Sequence, residues 1–594
     1  MKRRKELLFL FFLLHFLGMN AFTQDLFINV TYPASNDTFY VDRLRLAGST
    51  HPKAALSINK ETVVVFRNGA FVSRIDLEPG WNEILFSSTL ADSTVQDTLR
   101  VFHIARPETL SQLPTRIDTA SLEPGSDVWL LPGDKLNVRM MASPGGRAVF
   151  SIEDGMKNIP MTELPPSRTN GVEGIYHGVV QVDDANANKN LAITVEFKGV
   201  DGEKVKLQPS GRLYVMTDVL PLVGMTREKT YLWNAGEGGT ILGGIPDSVY
   251  LHIVGRVGGR NKIKLSRNRF AYINAMDVHL LPVGTPLPKA QVSTPSFSQN
   301  KEWYRLIMAI GQPLPFLIHQ YDHPLRLELT LFGARQGYQW ITYPNHETPI
   351  SNISWTQEGS DMLKIIVELE EKQLWGYTLE YDDHRLILAI RKPPYIPPAP
   401  ANPLQNVVFV IDAGHGGEEL GAVSSTGIME KEINLKMARA LYRKFEQAGA
   451  KVFLTRQADT TLSLQARLDI ARLKNAHIFL CLHNNSIGPS SDPIRVRGTS
   501  VYYYNHYSRG LAWAIYPHLV DLGLAPFGRV FTPFYVTRAT DIISVLVEGI
   551  FMSNPEDEMI MQADEYADDI AIATFKGVSD FLESLQRKTD DQDG

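Results

Sequence analysis

Four residues in the C-terminal third of the chain carry side chains suited to binding a metal ion and moving protons: His415, Glu430, His483 and Glu548. Histidine and glutamate are common zinc ligands, and a catalytic zinc usually has three protein ligands and one position for water. Zinc lowers the pKa of that water to about 7, and a nearby carboxylate must still take its proton. The sequence therefore offers His415, Glu430 and His483 as candidate ligands of a metal ion such as Zn2+, and Glu548 as a candidate for proton transfer.

Strands are the elements that must position three of these residues. Continuous apolar runs, typical of buried parallel strands, precede them: 407–411 before His415, 478–482 before His483, and 543–547 before Glu548. In open α/β sheets, ligands bind beyond the carboxyl ends of the strands. The pattern predicts that these residues meet at one edge of a sheet, with a helical pattern running from Glu432.

Each residue taken alone also has an ordinary structural explanation. Glu430 suits the first turn of a helix, where the helix dipole favours an acid. His483 could be a hydrogen-bonded histidine at a strand end, and Glu548 could be a buried acid paired with Arg456 or Arg538.

The spacing of the candidate ligands is not that of a local metal motif. The sequence contains no H-E-x-x-H, and His415 and His483 are 68 residues apart, so only the fold can bring them together. Glu418 and Glu419, just after His415, are rival ligands.

A series of motifs gives the segment from about 407 to 582 its family resemblance. In order they are Asp412-Ala413-Gly414-His415-Gly416-Gly417, Glu430-Lys431-Glu432-Ile433-Asn434, Thr455-Arg456, Leu482-His483-Asn484-Asn485 and Val545-Leu546-Val547-Glu548. The segment resembles the zinc-dependent N-acetylmuramoyl-L-alanine amidases, whose opening motif is D-x-G-H-G-G. The resemblance implies that His415, Glu430 and His483 bind zinc and that Glu548 is the acid/base.

Three positions depart from the pattern of that family. Asn484 stands where a small residue is usual, His477 where an acid is frequent, and Cys481 in place of a small or aliphatic residue. None of them removes a ligand, although each can alter the packing around the ligands. We expect Cys481 to be a buried, apolar-like residue rather than a nucleophile.

The rest of the chain indicates a multi-domain protein: N-terminal all-β domains, Ig-like and SH3-like, followed by an α/β catalytic domain with a mainly parallel sheet. The predicted boundaries are a signal peptide at 1–24, an Ig-like domain at 25–105, a second β-sandwich-like domain at 106–220, an SH3-like barrel at 221–285, a β-rich envelope-targeting-like domain at 286–392, a Pro-rich linker at 393–405, the catalytic domain at 406–586 and a polar tail at 587–594. We expect the linker to act as a semi-rigid spacer.

Composition and the N-terminus bear on location and partners. A basic start followed by the Leu- and Phe-rich run 7–17 is typical of a signal peptide, so we expect export to the periplasm or cell envelope. No later run is apolar enough for an integral membrane segment in the mature chain. The net charge of −6 does not favour nucleic acid as a partner, and the single cysteine excludes an intrachain disulfide.

The resemblance implies a peptidoglycan hydrolase that cleaves the amide between N-acetylmuramic acid and L-alanine of the stem peptide. Peptidoglycan is then the expected partner, and an activator protein is a further candidate. Two alternatives stay open: a wall-binding or adaptor protein with an inactive amidase-like domain, and a zinc hydrolase of another amide. Bound zinc and product identity would separate the three.

Overall fold

The structure is a computed structural model that describes residues 26–104, 109–217, 219–344 and 348–586. The signal peptide and the polar tail that the sequence predicts lie outside these residues. Among the helices in the described ranges, none is both long and apolar enough to cross a membrane.

The first two N-terminal units are built from strands. Residues 26–104 form a three-stranded and a five-stranded sheet around one apolar core. Their strands are Ile28–Tyr32, Thr38–Phe39, Arg43–Thr50, Ala55–Ile58, Glu61–Val63, Ala70–Asp76, Gly80–Leu90 and Ser93–His103. The second unit has a separate core. Its strands are Ile117–Glu123, Val128–Leu130, Lys135–Ala142, Arg147–Ile152, Ile159–Glu163, Ile175–Gln181, Asn190–Leu191, Ile193–Lys198, Lys204–Leu207 and Leu213–Val215, with a 3-10 turn at Pro166–Arg168.

The next two units are also β-rich. The third shares a ten-stranded sheet with three strands of the second unit. Its own strands are Leu222–Thr226, Thr230–Trp233, Ile241–Ile245, Tyr250–Val257, Arg260–Ser266, Arg269–Asn274 and Val278–Leu280, with a 3-10 turn at Ala275–Asp277. The fourth contains two four-stranded sheets and one strand pair. Its strands are Ala290–Val292, Ser296–Gln299, Trp303–Ala309, Phe316–Asp322, Leu325–Phe332, Ala334–Gln336, Ile350–Glu358, Met362–Leu369, Tyr377–Asp382 and Arg385–Arg391.

The C-terminal domain is a six-stranded sheet with helices on both faces. Its strands are β1 Val408–Ala413, β2 Lys451–Leu454, β3 Ile478–Asn485, β4 Thr499–Tyr503, β5 Pro526–Phe531 and β6 Ile543–Phe551. Its helices are α1 Glu430–Gln447, α2 Leu464–Leu473, α3 Arg509–Val520, α4 Pro555–Met561 and α5 Tyr566–Leu585, with a 3-10 turn at His506–Ser508. The strand order is β2-β1-β3-β6-β4-β5. The pairs β1/β2, β1/β3, β3/β6 and β4/β5 are parallel, whereas β4 runs antiparallel to β6.

Alternate residues of the central strands point to the two faces of this sheet. Ile478, Leu480 and Leu482 of β3 join the core that α1, α3 and α5 cover. Phe479 and Cys481 join a smaller core on the α2 face. Both faces are therefore buried, which explains why the strands read as continuous apolar runs in the sequence.

Helix α1 follows from a four-residue apolar repeat. Ile433, Met437, Leu441 and Phe445 recur at this spacing and are buried against the sheet. The helix ends before Gly449, which has a φ of +74° and so supplies the left-handed residue that commonly terminates a helix. This register places Glu430 at the first helical position.

The proline-rich stretch before β1 does not hold the fourth β unit away from the C-terminal domain. The two terminal guanidinium nitrogens of Arg391 donate across the boundary, to the carbonyls of Asp541 at 3.0 Å and of Asn475 at 2.9 Å. The amide of Tyr377 donates to the carbonyl of Thr540 at 2.6 Å, and one apolar core runs through both units. The two units are therefore packed together.

The first β unit also contacts the C-terminal domain, on the loop that follows β3. The amide of Arg45 donates to the carbonyl of Pro489 at 2.7 Å, and Arg74 pairs with Asp492 at 2.9 Å. This loop begins directly after the strand that carries His483. The first unit therefore contacts the loop that leads away from the predicted metal site.

A buried ion pair fixes the turn after β1. Arg467 of α2 donates to Asp412 and to the carbonyl of Ala413, both at 2.8 Å, and to the carbonyl of His415 at 2.9 Å. The side chains of Asp412 and Arg467 are 1% and 2% exposed. Thr455 at 2.5 Å and the thiol of Cys481 at 3.0 Å donate to the same aspartate.

Replacing Arg467 with methionine should destabilise the C-terminal domain, because the Asp412 carboxylate would be left buried without its cation. Removing one partner of a buried pair costs about 3–5 kcal/mol. Arg443→Met is the matched control: it breaks the exposed pair with Asp568, and such surface pairs contribute about 0–1 kcal/mol. The thermal unfolding midpoints of the two full-length variants measure both losses of stability. Equal midpoints would contradict the role given to Arg467.

Candidate metal centre

The structure brings three of the sequence-predicted residues together at the carboxyl edge of the sheet. The Nε2 atom of His415 lies 3.2 Å from Oε2 of Glu430, and Nδ1 of His483 lies 2.8 Å from Oε1. One donor atom from each residue falls within 4.8 Å of the others. The imidazole rings meet edge to face, with centroids 4.9 Å apart. Two imidazoles and one carboxylate converging on one point are a donor set that fits a metal ion.

Glycines allow this close approach. His415 itself has a left-handed backbone, with φ of +58°, in the turn that Arg467 holds. A Cβ added at Gly414 would lie 2.2 Å from Nε2 of His483, and one at Gly421 would lie 2.5 Å from Oε2 of Glu430. Any side chain at these two positions would displace a candidate ligand.

Glu430 is the most heavily hydrogen-bonded of the three candidate ligands. Besides the two imidazoles, its oxygens accept from the amide of Ala422 at 2.8 Å, the amide of Asn484 at 3.2 Å and Nδ2 of Asn434 at 3.0 Å. Burial raises its pKa, but the hydrogen bonds from His415 and His483 outweigh burial and leave the pKa well below the usual range. The group is therefore an ionised carboxylate at neutral pH.

A network of side-chain amides stabilises the Glu430 carboxylate. Nδ2 of Asn434 also donates to the carbonyl of Gly414 at 3.2 Å, and its Oδ1 accepts from Asn484 at 3.0 Å. Oδ1 of Asn484 in turn accepts from the hydroxyl of Tyr566 at 2.5 Å. Asn484, which departs from the family pattern, thus has hydrogen-bond partners for both its side-chain nitrogen and its side-chain oxygen. It connects α1 and α5 to the candidate metal centre.

Glu548 lies on β6 next to the metal group. It pairs in register with His483 on the neighbouring parallel strand, so both side chains share the α2 face of the sheet. Its Oε2 is buried, with no hydrogen-bond partner among the described residues. Burial, and secondly the charge of Glu430, raises the pKa of Glu548 well above its usual value. Without a metal ion this carboxyl group is therefore a weaker acid than an ordinary glutamate.

The structural partners suggested for Glu548 are engaged elsewhere. Arg456 donates to the carbonyls of Gly414 at 3.0 Å and Lys431 at 2.8 Å, so it braces the turn that carries His415. Arg538 lies over the ring of Tyr231, 4.3 Å from its centroid. The explanation of Glu548 as the acid of a buried ion pair is therefore wrong for both arginines.

Other residues singled out from the sequence lie outside the converging group. Glu418 and Glu419 are exposed. His477 accepts from the amide of Val408 at 3.0 Å at the start of β1, and burial lowers its pKa to about 3. Cys481 is buried as expected, but its thiol donates to Asp412, and burial raises its pKa well above the usual value. A neutral, hydrogen-bonded thiol is not a nucleophile.

Sequence reasoning gave no supporting role to Asn434, Lys431 or Tyr566. Asn434 follows Glu430 by four positions on α1, and this spacing on one helix face was a signal that could have identified it. Lys431 donates to Asp459 and to the carbonyl of Gly417, at 2.7 and 2.8 Å. The contact made by Tyr566 had no local sequence signal, because 82 residues separate it from Asn484.

Comparisons with known proteins match the part of the chain that carries these residues. Residues 409–580 match the sequence model described as N-acetylmuramoyl-L-alanine amidase. The amidase LytC of Bacillus subtilis is 36% identical over 181 residues, which are 30% of this chain and 36% of LytC. The probable cell wall amidase LytH of Staphylococcus aureus is 36% identical over 164 residues, which are 27% of this chain and 53% of LytH.

Solved structures align with the same region. The amidase AmiC2 of Nostoc punctiforme is 33% identical, and the match covers 30% of this chain and 97% of that one, with a TM-score of 0.29. The CwlD amidase of Clostridioides difficile, solved in complex with the GerS lipoprotein, is 27% identical, with 30% and 100% covered and a TM-score of 0.28.

The matched segment spans about a third to a half of the length of the two curated relatives. The ordered motifs, the family match and these identities all fall on the same part of the chain. The C-terminal part of the chain, residues 409–580, belongs to the N-acetylmuramoyl-L-alanine amidase family.

Proposed function

We propose that the protein is an exported, zinc-dependent peptidoglycan hydrolase. It cleaves the amide between the lactyl group of N-acetylmuramic acid and L-alanine of the stem peptide. The observation that carries the proposal is the convergence of His415, Glu430 and His483 beside an unpartnered carboxyl group, Glu548, on the adjacent strand. The family match over residues 409–580 supplies the bond and the substrate class.

In this proposal each residue has a distinct role. His415, Glu430 and His483 would hold zinc, which supplies an electrophile for the scissile carbonyl and acidifies the attacking water. Glu548 takes a proton from that water on its free Oε2 and passes it to the departing nitrogen of L-alanine. Asn434 orients the Glu430 carboxylate through its hydrogen bond at 3.0 Å, which keeps the two imidazoles in position.

The finer assignments of the rest of the chain belong to the same proposal. The N-terminal units, Ig-like and SH3-like among them, act as spacers or wall-binding modules in the periplasm or cell envelope. The signal peptide is removed after export. An activator is a candidate partner, since the relative CwlD was solved with the lipoprotein GerS.

The first prediction from this proposal concerns the reaction. The purified mature chain, incubated with peptidoglycan, should release stem peptides that begin with L-alanine, as identified by mass spectrometry. A chelator should abolish the release and added zinc should restore it. Zinc binding without release would indicate an activator requirement or another amide as substrate. A chain that neither binds zinc nor releases peptides would support the adaptor alternative.

A pair of variants separates metal binding from proton transfer. His483→Ala should lose both zinc and activity, because one of three ligands is removed. Glu548→Gln should keep zinc and lose about 10²- to 10⁴-fold in turnover, the usual contribution of a general acid/base. Zinc content is measured by elemental analysis and turnover by peptide release. His518→Ala and Glu556→Gln, at positions that make surface ion pairs, are the matched controls and should change neither quantity.

The raised pKa of Glu548 predicts the acid side of the pH profile. The reaction needs this group as a carboxylate, so the rate should fall as the pH drops through its pKa. Burial is the larger cause of the shift and persists when metal is bound, whereas the positive charge of a bound metal ion would oppose it. The measurement is kcat/KM on a soluble muropeptide at constant zinc saturation. An acid-side midpoint that is unchanged in the residual activity of Glu548→Gln would exclude Glu548 as the titrating base.

A further inference from the structure

A cavity of about 1160 Å³ lies where the third and fourth β units meet the C-terminal domain. Thr540 and Asp541, just before β6, line it together with Tyr504 and Asn505, just after β4. Because β4 is antiparallel to β6, both segments lie at the amino edge of the parallel strands. The metal group is at the opposite edge, and a strand of five or six residues separates the two edges by roughly 15–20 Å. The cavity is therefore distinct from the candidate active site.

Direct hydrogen bonds between the units hold this cavity open. Nε2 of Gln320, from the fourth unit, donates to Asn505 at 2.9 Å and to the hydroxyl of Tyr377 at 3.0 Å. The amide of His506 donates back to Oε1 of Gln320 at 3.0 Å. All of these residues line the cavity. The site is therefore formed before any ligand arrives, as is usual for binding pockets.

Arg538 presents an unpaired cation to this cavity. Its guanidinium lies 4.3 Å from the ring centroid of Tyr231 and 5.4 Å from that of Tyr535. Its Nε atom is buried without a hydrogen-bond partner, and the described residues place no carboxylate within ion-pair distance of it. A guanidinium held between two rings, with donors unused, is set to bind a planar anion such as a carboxylate.

The other charges along the wall do not neutralise Arg538. Arg472 is paired with Asp541 at 2.8 Å, and Arg509 is paired with Asp322 at 2.9 Å. The remaining acids, Asp247 and Glu380, and the remaining lysine, Lys229, are exposed. Arg538 is therefore the cation of the lining that is partly buried, between the tyrosines, and has no carboxylate partner among the described residues.

The aromatic rings of the lining add a second preference. Tyr231, Tyr504, Tyr535 and Phe531 are all partly or well exposed and come from two different units. Sugar rings present flat apolar faces that stack on aromatic side chains, and their hydroxyl groups need the polar partners that this wall also provides. The lining therefore suits a saccharide that carries a carboxylate.

We propose that this cavity binds the glycan product of the reaction, a strand whose muramoyl residues have lost their stem peptides. This inference rests on the proposed function. Before cleavage the lactyl group is a neutral amide, and after hydrolysis it is a free carboxylate that Arg538 can bind. The cavity thus distinguishes denuded glycan from intact glycan by the charge that the reaction itself creates.

The test measures binding separately from catalysis. The full chain carrying Glu548→Gln is titrated by calorimetry at pH 7 with a denuded N-acetylglucosamine–N-acetylmuramic acid tetrasaccharide. Chitotetraose, which lacks the lactyl carboxylates, and a free stem peptide are the comparison ligands. We expect the denuded tetrasaccharide to bind about tenfold tighter than chitotetraose, the order expected of one charge-assisted contact.

The site is tested by adding Arg538→Gln to that chain, which should remove the difference between the two saccharides. Arg147→Gln, on an exposed strand residue of the second unit, is the matched control and should preserve it. Equal affinities in the parent chain, undetectable saccharide binding, or a difference that survives Arg538→Gln would each overturn the proposal. The proposal would also be overturned if the stem peptide bound more tightly than the denuded tetrasaccharide and this binding depended on Arg538. The ligand of the cavity would then be a peptide.

Failure of this proposal and failure of the proposed function give different results. Arg538→Gln in the otherwise unaltered chain should still release stem peptides from a short soluble muropeptide, because Arg538 lies outside the metal group. Saccharide discrimination without any peptide release would retain the cavity as a site and remove the amidase assignment. Peptide release without saccharide discrimination would retain the amidase assignment and remove the cavity as a saccharide site.

Discussion

The carboxylate of Glu430 is the interaction on which the site depends. It is 4% exposed and accepts hydrogen bonds from two imidazoles, two backbone amides and one side-chain amide. These donors come from the turn after β1, from α1 and from β3, so one ionised group fixes three elements relative to one another. A buried carboxylate is costly unless it is hydrogen-bonded throughout, and this requirement leaves few alternative arrangements of His415 and His483.

Much of the catalytic framework could be predicted because its signals are local. Apolar runs predicted the strands before His415 and His483, and Gly449 predicted the end of α1. The helix begins at Glu430, two positions before the helical pattern that the sequence indicated from Glu432. The prediction that β6 ends at Glu548 was wrong, because the strand continues to Phe551. The composition of the residues after 547 is not typical of a strand. Pairing with β3 nevertheless extends β6 through Glu548 and Gly549. Tertiary pairing here outweighs local preference.

Contacts between distant parts of the chain could not be predicted in the same way. The linker composition suggested separated modules, whereas Arg391 ties the fourth unit to the carbonyls of Asn475 before β3 and Asp541 before β6. The pairing of Arg74 with Asp492 joins residues more than four hundred positions apart, and nothing periodic marks either one. Such contacts depend on surface complementarity, which a single sequence does not display. The Ig-like and SH3-like assignments of the β units stay predictions for the same reason.

The way in which Gly414, Arg456 and Arg467 hold the His415 turn has a consequence for how the metal is acquired. Small zinc domains recruit their ligands from a flexible chain, so that metal binding and folding are one event. Here backbone carbonyls, buried guanidinium groups and a sheet already fix the donor atoms. In the proposed function, metal would therefore enter and leave a domain that stays folded, and loading would be a reversible step that follows folding.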